Sequence, residues 1–421
     1  MNREIPKTQN VSLSFVAPPS KSYTHRAMVA AALARGQSTI RHPLFAGDTL
    51  LTARALEALG VPVRTGPDRI AIEGQDGALR PGKETTLDLG NAGTSLRLLA
   101  SVALLCDTPV TLTGSRRMKE RPAGPLAQAI RAAGGSVAFL EKEGFPPIRI
   151  EGRYRGGTVP VDGSESSQFV SSLLMAAPYA EEETAVVLKK DPASRSYLDI
   201  TVQVMQDFGA EVRRDGYRRF AVDNRRRYTG REYAIEGDWS SASYFLAIAA
   251  ACGGTVTVAN LNPRSVQGDR RFADALAAMG CSVRYGEDRV TVSRTGPLSG
   301  ITIDMSSSPD TVQTLAVVAA LARTPTVITG IGHLKFKESD RTSMTAGLLN
   351  ALGGRVTATD DTLTITPVPL HGSTIDPADD HRTAMSFAVL GLATGGIAIM
   401  DAECVDKSFP DFWDALLGAG L

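Results

Sequence analysis

The chain has 421 residues, 43% hydrophobic and 21% charged, the composition of a folded protein too long for one ordinary core, so two or three domains are expected. Lys and Arg number 45 and Asp and Glu 45, a formal net charge of zero that excludes a global field recruiting nucleic acid or an anionic membrane. No run reaches the roughly 18 apolar residues of a membrane span, and the N-terminal stretch has no apolar core of signal-peptide length, so the expected compartment is the cytoplasm.

The first predicted element is a helix over "SKSYTHRAMVAAALARG", which opens after Pro18-Pro19 and stops at Gly36. Its opening turns carry Lys21 and Arg26, although the macrodipole disfavours cations at a helix N-terminus by about 0.3 to 1 kcal/mol unless an anion compensates. The next helix, "ALEALGVPV", closes at Gly60, and a strand begins at Val63. The same pattern returns in "AIRAAGGSV", "VMQDFGAEV", "ALAAMGCSV" and "LLNALGGRV", and, cut off by the end of the sequence, in "ALLGAGL". The closing glycines are Gly60, Gly134, Gly209, Gly280, Gly353 and Gly420, spaced by 74, 75, 71, 73 and 67 residues.

A second set of Ala- or Leu-rich helices alternates with these. It comprises the Lys21 helix, "NAGTSLRLLASVALL", "SSQFVSSLLMAA", "WSSASYFLAIAAA", "PDTVQTLAVVAALA" and "DHRTAMSFAVLGLA". Strand-like stretches such as "TPVTLTG" and "GTVTVAN" follow them. The repeat therefore reads as helix, strand, loop, helix, strand, strand. It is longer than the 20 to 50 residues of ordinary solenoid repeats, and six copies most simply form two domains of three.

Cations recur where these helices begin: Lys21, Arg26, Arg97, Arg121, Arg195, Lys337, Arg341, Arg382 and Lys407. Pro122 is read as a first-turn proline and Asp340 as an N-cap. Helix N-termini with free N–H groups are anion sites, and termini of both domains facing one cleft would suit a highly charged anionic ligand. A pair of phosphorylated carboxylates would bring roughly −5 to −6, given about −1.5 to −2 per phosphate. No "GxxxxGK[ST]" occurs, so nothing supports ATP. Cys106, Cys252, Cys281 and Cys404 are scattered without ligand spacing, which argues for small core residues and against zinc or disulfides.

These motifs together resemble the 5-enolpyruvylshikimate-3-phosphate synthase family of enolpyruvyl transferases. The resemblance is carried by "PPSKSYTHR", "LGNAGTSLRLL", "LTGSRRMKERP", "DGSESSQF", "SRSYLDIT", "EGDWSSASYF", "QGD", "PDTVQTLA", "FKESDR", "DDHRTAMSF" and "KSFPDF", in that order along nearly the whole chain. A related family using UDP-N-acetylglucosamine carries a cysteine where this chain reads "GSRRMKERP", and Asn where Ser22 stands; no cysteine lies between Cys106 and Cys252.

The resemblance implies an α+β fold of two domains, each with three βαβαββ copies, an inside-out α/β barrel. One domain would span 21–236 and largely bind shikimate-3-phosphate; the other would combine 1–20 with 237–421. The implied reaction moves the enolpyruvyl group of phosphoenolpyruvate to the 5-hydroxyl of shikimate-3-phosphate and releases phosphate, in chorismate and aromatic amino acid biosynthesis. It implies no metal and no organic cofactor, no nucleic acid or membrane partner, and a monomer.

By the same resemblance Asp310 is the base for the hydroxyl and Glu338 the acid for the methylene carbon, with Lys21 touching both substrates. Gly93, Arg121, Gln168, Arg341, Arg382 and Lys407 would surround phosphoenolpyruvate. Ser22, Arg26, Ser166, Ser167, Gln168, Ser194, Asp310 and Lys337 would hold shikimate-3-phosphate, Arg26 through a bidentate carboxylate contact, with Tyr197 nearby. Read from the residues alone, Asp310 after Pro309 also fits an N-cap, and Glu338 a surface carboxylate paired with a neighbouring cation. His333 stands where some members have a substrate-contacting Asn, and Leu98 where many have Pro. The Arg-dense stretch 213–227 reads as a solvated hairpin face.

Overall fold

The computed structural model describes residues 2–419. The chain divides into two compact units, one of Pro19–Ile235 and one combining the residues up to Pro18 with those from Glu236 onward. Each unit is built from three copies of one supersecondary pattern.

The pattern is plainest in the middle of the first unit. Strand Thr85–Asp88 runs parallel to Val110–Thr113; that strand pairs antiparallel with Ile148–Gly152, which pairs antiparallel with Gly135–Phe139. A parallel pair needs a helical crossover, while the last two strands need only a short connection. The order βαβαββ follows, with the final hairpin folded back against the second strand. Gly157–Val161, Thr184–Leu188, Val212–Asp215 and Arg219–Val222 repeat it.

The first copy lacks an opening strand of its own in sequence. Glu232–Ala234, at the far end of the unit, supplies it by pairing parallel with Thr39–Arg41. The second unit closes in a related way. Val11–Val16 lies parallel to Gly254–Ala259 and opens its first copy. Arg3–Ile5 pairs antiparallel with Ile397–Ile399 and supplies an antiparallel neighbour that the truncated sixth copy does not make for itself.

Twelve helices connect the strands among the described residues: α1 Lys21–Leu33, α2 Gly47–Ala58, α3 Gly93–Val102, α4 Gly124–Ala132, α5 Ser167–Ala176, α6 Ser196–Asp207, α7 Trp239–Cys252, α8 Arg271–Ala278, α9 Val312–Ala319, α10 Arg341–Ala351, α11 His381–Thr394 and α12 Phe412–Gly418. The odd-numbered set is the Ala- and Leu-rich one. All of α7 is buried, as is α1 from Tyr23 to Leu33, and small side chains permit that enclosure. The even-numbered helices bury one face, as in α8, where Phe272, Ala273, Ala275 and Leu276 point inward.

Gly60, Gly134, Gly209, Gly280 and Gly353 all have φ between +87° and +106°, the left-handed geometry that ends a helix without a Cβ clash. Gly420 lies outside the described residues. Gly36 does not stop α1. That helix ends at Leu33, with Ala34 already extended, and Gly36 sits inside strand Arg35–Arg41 at φ +86°. Pro122 precedes α4 instead of occupying its first turn, a place taken by Pro125. Lys407 ends a 3-10 segment, Ala402–Lys407, and does not begin a helix.

Arg213 and Arg214 lie exposed on the Val212–Asp215 strand of a hairpin and pair with Glu183 and Asp199; Arg225 to Arg227 fall beyond it. Cys252 and Cys281 are buried, Cys106 and Cys404 half-buried, and all four are free thiols. No described helix is long and apolar enough to cross a membrane.

Candidate active site

Charged side chains collect in each unit at the entrances of the buried helices. In the Pro19–Ile235 unit, Lys21 opens α1 and gives its Nζ to Asp48 Oδ2 at 3.1 Å. Asp48, in the first turn of α2 and itself buried, is an anion for that helix entrance supplied by the chain itself. One turn on, the fully buried Arg26 donates from Nε to Thr201 Oγ1 at 2.7 Å, from Nη1 to the Ser22 carbonyl at 3.0 Å and from Nη2 to the Tyr197 carbonyl at 3.3 Å. Burial lowers its pKa to about 10. Those bonds leave one hydrogen on each terminal nitrogen.

At α3, Gly93 leaves a gap that the Arg121 guanidinium fills: a Cβ there would lie 2.6 Å from its Cζ. Arg121 Nη1 donates to the Asn91 carbonyl at 3.1 Å and to Asn91 Oδ1 at 3.3 Å, which sets it across the helix entrance. Arg97, one turn further, donates to the Gly93 carbonyl at 3.2 Å. Leu98 is buried in the unit's core.

Ser166 caps α5 by accepting the Gln168 N–H at 3.2 Å, and Gln168 Nε2 donates to Thr94 Oγ1 at 3.0 Å, which links the entrances of α5 and α3. Ser167 is buried in the first turn of α5. Ser194 adopts φ +55° just before α6, a left-handed conformation that a non-glycine residue holds only when its surroundings impose it. Lys21, Ser22 and Arg26 therefore stand at one helix entrance, and Gly93, Arg121 and Gln168 at two entrances joined by the Gln168–Thr94 bond.

The other unit holds a denser cluster. Arg341, the first residue of α10, is 2% exposed, and three carboxylates surround it. Its Nη1 meets Asp310 Oδ1 at 3.0 Å, its Nη2 meets Glu338 Oε2 at 2.8 Å, and its Nε meets Asp380 Oδ2 at 2.9 Å. Arg382, in the first turn of α11, donates from Nη2 to Asp310 Oδ2 at 2.7 Å and from Nη1 to Tyr244 Oη at 3.2 Å. Asp310 is thus shared by two guanidinium groups. It lies within the 3-10 turn Pro309–Thr311 that precedes α9 and does not cap that helix.

Helix caps fix the directions of these groups. Asp340 caps α10 by accepting the Ser343 N–H at 3.1 Å, as the sequence suggests. Asp380 caps α11 by accepting the Arg382 N–H at 3.0 Å while its other bonds hold Ser339 and Arg341. Glu338 pairs with a cation, as its neighbours suggest, but its side chain is only 10% exposed. Such pairs interact more strongly than surface ones because water screens them less.

Burial raises the proton affinity of Asp310, but Arg382, Arg341 and Lys337 outweigh it and hold the carboxyl below the ordinary range. Burial disfavours charge on Arg341, yet Asp380, Glu338 and Asp310 raise its pKa overall. His333, buried on the 3-10 segment Gly332–Phe336, is lowered to about 3 by burial and then by Lys337. Four participants escape a reading that looks for cations at helix starts: Asp48, Asp380, Tyr244 and Asp269, the last beside Asp310. The available signal is that Asp269 and Asp380 lie inside the quoted "QGD" and "DDHRTAMSF" segments. Among the described residues no group of three or more His, Cys, Asp or Glu side chains is placed to hold a metal ion.

Comparison with known proteins agrees with this architecture. Residues 5–416 match the family described as EPSP synthase (3-phosphoshikimate 1-carboxyvinyltransferase). Proteins named 3-phosphoshikimate 1-carboxyvinyltransferase from Methanoculleus marisnigri and Methanoregula boonei are 63% and 61% identical, over 99% and 98% of both chains respectively. A solved EPSP synthase from Acinetobacter baumannii superposes with a TM-score of 0.81 at 27% identity, covering 99% of this chain and 98% of that one. With its repeat architecture and its two sets of charged helix entrances, the chain belongs to the EPSP synthase (3-phosphoshikimate 1-carboxyvinyltransferase) family.

Proposed function

We propose that the chain transfers the enolpyruvyl group of phosphoenolpyruvate to the 5-hydroxyl of shikimate-3-phosphate and releases phosphate, a step of chorismate and aromatic amino acid biosynthesis. Besides family membership, the observation that carries this reading is the sharing of Asp310 by Arg341 and Arg382. Two buried guanidinium groups beside two further carboxylates suit a substrate that brings its own phosphate and carboxylate.

An arriving phosphoenolpyruvate competes with Asp310 for the two arginines. Losing those partners raises the proton affinity of Asp310 toward that of a useful base. Asp310 then removes the proton of the 5-hydroxyl as the oxygen bonds to the central carbon of phosphoenolpyruvate, while Glu338 delivers a proton to the methylene carbon. The tetrahedral adduct collapses in the reverse sense. Glu338 recovers a proton from the new methyl group, the double bond re-forms, and phosphate leaves with the proton held by Asp310. Proton transfers alone balance the step.

In this reading Lys21 contacts both substrates. Arg121, Gln168, Arg341, Arg382 and Lys407 face phosphoenolpyruvate, with Gly93 giving Arg121 its place. Ser22, Arg26, Ser166, Ser167, Gln168, Ser194 and Lys337 face shikimate-3-phosphate, Arg26 using its two remaining hydrogens. Asp310, with Glu338 and Arg341, lies in the unit from Glu236 onward, and Lys21 and Arg26 in Pro19–Ile235. The enzyme acts as a cytoplasmic monomer on these two small anions, with no metal or organic cofactor. The test is phosphate release from phosphoenolpyruvate with shikimate-3-phosphate as acceptor, run beside UDP-N-acetylglucosamine. Release with the second acceptor alone, or binding of both substrates without turnover, overturns the proposal.

A further inference from the structure

Asp269 sits on the 3-10 turn Gly268–Arg270, just before α8, and is 4% exposed. Ser240, in the first turn of α7, donates its hydroxyl to Asp269 Oδ2. The turn is also tied to the segment that carries Asp310: Ser308 Oγ donates to the Gly268 carbonyl at 2.6 Å. Gln267, beside it, accepts the Trp239 N–H at 3.0 Å and donates to the Gly237 carbonyl at 2.8 Å, which fixes the turn against the start of α7.

The charges that face Asp269 are Asp310, Arg382 on α11, and Asp238 at the cap of α7. On its own side, Arg270 and Asp274 act on Tyr285. The surrounding cluster balances Lys337, Arg341 and Arg382 against Asp310, Glu338 and Asp380, three charges of each sign. A further negative charge at Asp269 would tip that balance against any anion seeking Arg382.

We propose that Asp269 is a positioning residue that acts through the Asp310–Arg382 pair: its neutral carboxyl, anchored by Ser240, leaves Arg382 open to an anionic substrate, and its ionisation closes that opening. Burial, reinforced by the charge of Asp310, pushes Asp269 up to about 7, so the change falls near neutral pH. The identity of the anion as phosphoenolpyruvate rests on the proposed reaction; the electrostatic coupling does not.

The test measures KM for phosphoenolpyruvate by phosphate release at pH 6.0 and 8.5, together with its Kd by calorimetry, in the wild type, Asp269→Asn and Ser240→Ala. Both constants should rise about tenfold in the wild type between these pH values. Asp269→Asn, which is permanently neutral, should lose the rise. Ser240→Ala removes a hydrogen bond that favours the ionised form, so the rise should move to higher pH. The substrate's own ionisation is common to all three proteins and cancels in the comparison. An unchanged rise in Asp269→Asn overturns the proposal; should that variant not fold, an unshifted rise in Ser240→Ala does so. If calorimetry shows the expected pattern and no phosphate is released, the reaction fails and the positioning role stands.

Discussion

Arg341 is held by Asp380 through two hydrogen bonds, Nε to Oδ2 at 2.9 Å and Nη2 to Oδ1 at 3.3 Å, and Asp380 is fully buried. This fork leaves Nη1 and part of Nη2 for Asp310 and Glu338, so Asp380 determines which way the guanidinium faces.

Asp380→Asn should therefore damage both stability and binding. Breaking a buried pair while its cation stays buried costs about 3 to 5 kcal/mol, and the α11 cap is weakened at the same time. Denaturant unfolding at pH 7 should show a loss of that order, and KM for phosphoenolpyruvate should rise in the fraction that remains folded. Wild-type values for both would remove Asp380 from this role.

Asp310→Asn and Glu338→Gln should each lower turnover by at least about 100-fold while largely preserving ligand binding, as expected of groups that move protons. Steady-state phosphate release combined with calorimetry separates the two effects. Wild-type-like turnover in either variant would take that residue out of the mechanism.

Gly93→Ala should leave the fold intact, because its nearest neighbours are the end atoms of a flexible side chain, yet it must push the Arg121 guanidinium off Asn91. KM for phosphoenolpyruvate should rise about tenfold, equivalent to one charge-assisted hydrogen bond of about 1.4 kcal/mol, with a small change in melting temperature. An unchanged KM would separate Arg121 from the substrate.

Stability should fall on acidification partly because of His333. Its folded pKa of about 3 lies below the ordinary 6.5, so the unfolded chain takes up the proton first. The contribution of the neutral ring is full above about pH 6.5 and drains away as pH falls toward about 3. His333→Asn should unfold in urea with a weaker pH dependence across that window. Parallel curves for the two proteins would contradict the assignment.

The helix stops at Gly60, Gly134, Gly209, Gly280 and Gly353 were legible because a left-handed C-terminal residue is a local requirement that glycine meets almost alone. The Asp340 cap was legible for the same reason, since its partner Ser343 is three residues away. The Asp380 grip on Arg341 joins residues 39 apart, and no local rule selects which of several nearby acids will do it. The compensating acid at Lys21, Asp48, stands 27 residues on in a different helix, so a reading confined to the helix entrance finds a cation without its partner. Gly36 misled because a glycine after an Ala-rich helix looks like a stop, while here strand pairing with Gly74 places it in the sheet.

The strands borrowed across each unit constrain how the protein emerges from the ribosome. Once Ile235 has been made, the Pro19–Ile235 unit has every strand it needs, including Glu232–Ala234, and can close. Arg3–Ile5 is synthesised first, yet its partner Ile397–Ile399 comes almost 400 residues later. At about 5 to 20 residues per second, that opening strand waits some tens of seconds without its mate. It carries Arg3 and Glu4 beside a single buried Ile5, and charged residues on an unpaired edge discourage pairing with the wrong chain during the wait.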